Sequence, residues 1–181
     1  MKKVLLSLVA MSCAAFSHAL VYGFAVPIMT GGQEVPPNGS QAYGTASFTI
    51  NDQTWAVGGT VNVWGLNPNV VTGMHIHQAP VGANGPVRFN IGGNPSPGWI
   101  NAGAFNVFVF NGVMNLGSVA ANQAFLTTMI NGGSYINVHT QQFPGGEIRG
   151  QVECTGVVPE PATMAALGLG VAAMIRRKRN K

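Results

Sequence analysis

Charge is what this 181-residue chain has least of: only 8% of its residues are Asp, Glu, Lys or Arg. Five are acidic, and Glu147 has no acidic partner near it in sequence. The paired carboxylates of acid–base hydrolysis are therefore missing. The nine basic residues crowd the two ends, leaving only Arg88 and Arg149 between them. The formal net charge of +4 thus belongs to the termini, and the body is slightly acidic. A body without a basic patch excludes nucleic acid as a partner. Cysteine is as scarce. Cys13 lies in the N-terminal segment and Cys154 is alone in the body, so no intramolecular disulfide is expected. Ser118 and Ser134 stand in no nucleophile elbow, which argues against hydrolysis, and no catalytic residue is assigned. Histidine occurs four times, at His18, His75, His77 and His139.

The ends read as addresses. Lys2 and Lys3 precede a short apolar run, and Ser17-His18-Ala19 follows with small residues where a signal peptidase reads. This is a secretory signal over residues 1–19, with cleavage expected after Ala19. Met11 stands where a lipoprotein signal wants a small residue before Cys13, so lipidation is not expected. At the other end, Pro159-Glu160-Pro161 precedes an uncharged run, residues 162–175, and then a basic tail. The run is shorter than the roughly 20 residues a stable span prefers. Terminal Arg and Lys extend its reach by snorkelling and hold that end in the cytoplasm. This order closely resembles the PEP-CTERM sorting signal of Gram-negative bacteria. The resemblance implies an exosortase as partner, cutting near Pro159, Glu160 and Pro161 after transient anchoring in the inner membrane. It also implies export to the cell surface, outer envelope or extracellular matrix.

Between the ends, residues 20–156 are enough for one domain with a real core, leaving residues 157–181 as the sorting tail. Alternating stretches recur: YGFAVPIM, AYGTASFTI, TWAVGGTVNVWGL, VVTGMHIHQ, GPVRFNI, GAFNVFVF, SYINVHTQ and GGEIRGQVEC. Pro27 suggests an edge strand for the first, and Gly58-Gly59 a bulge or bend in the third. Residues 92–98 are too rich in Gly and Pro for regular structure. SVAANQAFLTTMINGG breaks the alternation with helical spacing, Ser118 as its cap and Asn131-Gly132-Gly133 as its stop. The expected fold is all-β, a Greek-key β-sandwich with one short helix.

Side chains alternate faces along a strand. In GMHIHQ, His75 and His77 share one face and Met74 and Ile76 the other. In YINVHT, Asn137 and His139 share the polar side. In GEIRGQV, Glu147, Arg149 and Gln151 oppose Ile148 and Val152. If these strands are neighbours, every histidine of the mature domain lands on one polar face with Asn137, Glu147 and Arg149. That face reads either as solvated surface polarity or as a three-histidine site for copper or zinc, both of which neutral imidazole binds well. Trp55, Trp64 and Trp99 read as core or rim packing before they read as a carbohydrate platform.

GGQEVPP, GTASFTI, GMHIHQAPVGANGPV and YINVHTQQFPGGEIRGQV together resemble the CHRD domain. That resemblance implies an immunoglobulin-like sandwich and no known reaction. A fainter one, to copper/zinc superoxide dismutases, lies in Gly-x-His-x-His, the later Val-His, the Gly-Gly loop and the arginine. It would make His75, His77 and His139 copper ligands and Arg149 a guide for an anionic substrate. The bridging histidine falls at Val87 or Arg88 and is lost, and no zinc half is supplied. The expected role is structural or adhesive in the envelope or matrix, with extracellular polysaccharide as a candidate partner. The alternative is a metal-binding or redox domain. For the tail, mass spectrometry of the mature surface protein should find no peptide from residues 176–181. Intact tail on most surface molecules would contradict the sorting reading.

Overall fold

The computed structural model describes residues 19–93 and 98–159, together with Arg176. The signal segment before Ala19, and Glu160 and Pro161 of the sorting signal, lie outside the described residues. Among the described residues the chain forms ten strands and one α-helix. The strands are β1 (Val21–Thr30), β2 (Tyr43–Asn51), β3 (Ala56–Trp64), β4 (Val71–His77), β5 (Val87–Gly92), β6 (Trp99–Asn101), β7 (Asn106–Val113), β8 (Tyr135–Thr140), β9 (Ile148–Gln151) and β10 (Glu153–Val158). The helix α1 spans Val119–Ile130, between β7 and β8. Its cap is Ser118, whose Oγ accepts from the Ala121 N–H at 3.1 Å. Gly132, at φ 73°, follows its end, as the Asn-Gly-Gly stop predicts.

The strands run antiparallel in the order β5-β4-β8-β9-β1-β2-β3-β7-β6, with β10 also paired to β1. The sheet folds over on itself, so that β5 faces β7. The Phe89 and Phe110 rings meet there at 6.3 Å between centroids. Strand β3 pairs with β7 and not with β4, and β4 pairs with β8, which are Greek-key crossings. The fold is thus the all-β sandwich with one helix that the alternation implied.

Three details differ from the expectation. Strand β1 is not an edge: it pairs with β2 along its length, with β10 at its start and with β9 at Thr30. Pro27 is accommodated because the β1–β2 register shifts between Val26 and Met29, leaving Pro27 and Ile28 exposed in a bulge. Gly58 and Gly59 make no bulge, since register with β2 and β7 is continuous there. Gly59 is needed for close approach: a Cβ would lie 2.5 Å from Phe48 Cβ and would also strike the Ser47 carbonyl. GGEIRGQVEC is two strands, because the chain leaves β8 for β1 at Val152.

The inner faces of β4, β8 and β9 carry Met74, Ile76, Ile136, Val138 and Ile148, all fully buried or nearly so. Their burial fixes which residues point outward, because a one-residue slip exchanges the two faces. The fold therefore predicts that Gly59→Ala destabilises by about 1–3 kcal/mol, the usual cost of overpacking. An unchanged denaturation midpoint would contradict the close-approach account.

Candidate functional site

Strands β4, β8 and β9 are neighbours, so their outward residues fall into cross-strand rows. His77 pairs with Tyr135 and Tyr135 with Gln151. His75 pairs with Asn137 and Asn137 with Arg149. Gly73 pairs with His139. This face is not solvated surface. Tyr135, Asn137 and Arg149 are each only 2% exposed and His77 only 8%. Loop residues after β1, after β4 and before β9 hydrogen-bond to the residues of this face.

The loop after β4 is held by Arg149. Its guanidinium donates to the Pro80 and Ala83 carbonyls at 3.2 and 2.8 Å and to Asn84 Oδ1 at 3.2 Å. The guanidinium carbon stands 3.4 Å from the centre of the Tyr135 ring, a cation–π contact. Tyr135 in turn stacks on His77, with centroids 4.8 Å apart and planes 11° apart. Gly85 ties the stack to the loop: its N–H donates to the Tyr135 hydroxyl and its carbonyl accepts from His77 Nδ1 at 2.9 Å. A Cβ at Gly85 would strike the Gln78 carbonyl. Arg149 is thus engaged in holding a loop, a different task from guiding an anion. Glu147 sits just before β9 and secures a second loop, accepting from Ser40 Oγ at 2.8 Å and Thr140 Oγ1 at 2.6 Å.

The three imidazoles meet above these rows. Ring centroids are 4.9 Å apart for His75 and His139, 5.6 Å for His75 and His77, and 5.8 Å for His77 and His139. One ligand atom from each lies within 4.8 Å of the others. His139 Nδ1 bonds to the Pro144 carbonyl at 3.0 Å. A carbonyl only accepts, so His77 and His139 carry their proton on Nδ1 and keep a lone pair on Nε2. His77 Nε2, His139 Nε2 and His75 Nδ1 are all buried without a hydrogen-bond partner. Three neighbouring rings, each with an orphaned nitrogen, call for a partner. Gly73 leaves room for the third ring. A Cβ there would come within 2.9 Å of His75 Cε1.

Burial holds all three rings below the ordinary histidine pKa, and their mutual proximity adds to it for His75 and His139. His75 is pushed down to about 4. The rings are therefore neutral at physiological pH, the form that binds metal. An open cleft of ≈ 250 Å³ lies over them, lined also by Thr72, Val87 and Pro144.

Glu34, from GGQEVPP, is 6% exposed and lies against Asn137, whose Nδ2 donates to Oε2 at 3.3 Å. Burial raises its pKa to about 7, against the pull of Arg149 and Asn137. Local sequence offered no sign of this burial, nor of Tyr135, Gly73 or Gly85 as supports of the site. The tryptophans pack: Trp55 is buried, Trp99 lies edge-on to Phe108, and Trp64 stacks between Tyr43 and Phe105. Of the processing residues, Ala19 and Pro159 stand at the two limits of the described domain, and β10 runs to Val158.

Comparison with protein families matches the CHRD domain over residues 26–152 and the PEP-CTERM protein-sorting motif over residues 157–179. No curated protein and no solved structure matches the chain. The sorting motif marks the chain for exosortase processing and for export to the cell surface or extracellular space. The loop-holding geometry predicts that Arg149→Lys lowers stability by roughly 1–3 kcal/mol, because an ammonium lacks the planar fork. Unchanged melting of that variant would contradict it.

Proposed function

Because the chain belongs to the CHRD family and is sorted to the outside of the cell, we propose that its domain binds one copper or zinc ion there. The ligands are His75 through Nδ1 and His77 and His139 through Nε2. The observation that supports this reading most is the convergence of three rings, each carrying a buried, unpartnered nitrogen. Metal bonds to imidazole are about 2.0–2.1 Å, which sets ligand nitrogens of a tetrahedral ion about 3.4 Å apart. Loading therefore draws the three rings slightly together.

The donor set is all nitrogen and all neutral. Copper stands ahead of zinc in the affinity order for such a site. The Gly85 and Pro144 carbonyls act on the ligands from behind, fixing the tautomer and orientation of His77 and His139. The open cleft leaves a coordination position for water or a small ligand. Apart from the three histidines, its lining residues are Thr72, Gly73, Val87 and Pro144, which supply no general acid or base.

A structural or adhesive role at the surface is the second reading. It is favoured by a row of stacked rings across one end of β2, β3 and β7. Tyr43 and Trp64 stack at 5.2 Å, Trp64 and Phe105 at 4.6 Å, and Tyr43 is 43% exposed.

Calorimetry of the purified chain with copper and with zinc tests the metal reading. One ion per chain is expected, with binding abolished by His139→Ala. Gly73→Ala should weaken binding by crowding His75 while the domain stays folded. Protons compete with metal for the same lone pairs, so affinity falls as pH falls. Because burial lowers the ring pKa values, that fall starts below the ordinary histidine value of about 6.5, and for His75 it sets in only near pH 4 and continues below it. Binding untouched by His139→Ala, or no binding at micromolar metal, would contradict the proposal.

A further inference from the structure

A second cleft, of ≈ 460 Å³, lies over β9 between the 31–37 and 81–82 loops. It shares no lining residue with the histidine cleft. Its size falls within the range of small-molecule sites. Its polar groups are unusually well held. Glu34 lines it, nearly fully buried, with Oε2 accepting from Asn137 and Oε1 itself buried toward Gly146. Gln33 donates its amide group to the Ile28 carbonyl and Thr30 Oγ1. Gln151 donates its amide group to the Ala79 and Gly132 carbonyls. Both glutamines are thus fixed by their nitrogens and present an amide oxygen as acceptor. Arg149 also lines the cleft, with three of its five N–H groups engaged by the 80–84 loop.

Charge narrows the ligand class. Arg149 beside Glu34 disfavours a cation, and the buried Glu34 carboxyl disfavours an anion. What remains is a neutral ligand that offers several O–H donors to the acceptors and an oxygen to the guanidinium. Hydroxyl groups do both. The rest of the lining includes Val35 and Val81, the latter 78% exposed at the mouth, which suits a C–H face.

We propose that this cleft binds a neutral saccharide unit, with Gln33 and Gln151 accepting hydrogen bonds from ring hydroxyls and Val35 and Val81 covering its C–H face. The site is independent of the metal. It rests on the adhesive reading for its biological sense, and it gives that reading a ligand class and a place. The test is an NMR titration of the metal-free, full-length chain with oligosaccharides of glucose, galactose, mannose and N-acetylglucosamine. One of these should bind, with shifts gathered at Glu34, Val81 and Gln151. Val81→Asp should weaken binding by about tenfold at an unchanged melting temperature. Gln151→Leu should abolish it, and if that variant does not fold, Val81→Asp carries the test. Binding by none of the four series, or binding unaffected by Val81→Asp, overturns the cleft. Binding lost in Trp64→Ala but kept in Val81→Asp also overturns it, while leaving adhesion through the aromatic row standing.

Discussion

The Arg149 guanidinium, pressed on Tyr135 and bonded to the 80–84 loop, is the contact on which the rest of the site depends. It converts an outward sheet face into an interior. Once the loop lies over β8 and β9, every polar atom beneath must find a partner or stand unsatisfied at a cost of about 1–3 kcal/mol. Gly85 supplies two such partners, to Tyr135 and to His77. Glu147 does the same for the loop at Ser40. The domain has no disulfide among its described residues, with Cys154 free, so this covering rests on packing and hydrogen bonds alone.

The histidines follow from that covering. Burial makes them poor bases, and the carbonyls behind His77 and His139 choose which nitrogen is left bare. A metal ion is the ligand chemistry that answers three bare, neutral imidazole nitrogens together. The same covering buries Glu34 with one oxygen unpaired and leaves a cleft beside it. One loop-and-arginine arrangement thus accounts for both candidate sites.

Much of this was legible in the chain because strands have a period of two. GMHIHQ and YINVHT each put their histidines opposite apolar core residues, and the structure keeps those faces. The helix was legible from Ser118 and Asn131-Gly132-Gly133, which act locally. Pro27 misled because a proline in a bulge and a proline on an edge look alike in sequence. Gly59 misled for the same reason: close approach to Phe48 is a property of the neighbouring strand. The three-residue strand β6 escaped notice beside a Gly- and Pro-rich stretch. Least legible was the burial of the polar face. Loops carry no periodicity, so nothing in GGQEVPP announced that Glu34 would be buried against Asn137. Whether the rings converge depended on β4 lying beside β8, a tertiary pairing that local alternation does not encode.

The most direct measurement of the central claim is anomalous X-ray scattering from crystals of the copper-loaded protein. The account predicts one metal peak, bonded at about 2.0–2.1 Å to His75 Nδ1, His77 Nε2 and His139 Nε2. A peak elsewhere, a peak held by fewer than three imidazoles, or no peak at all would contradict it.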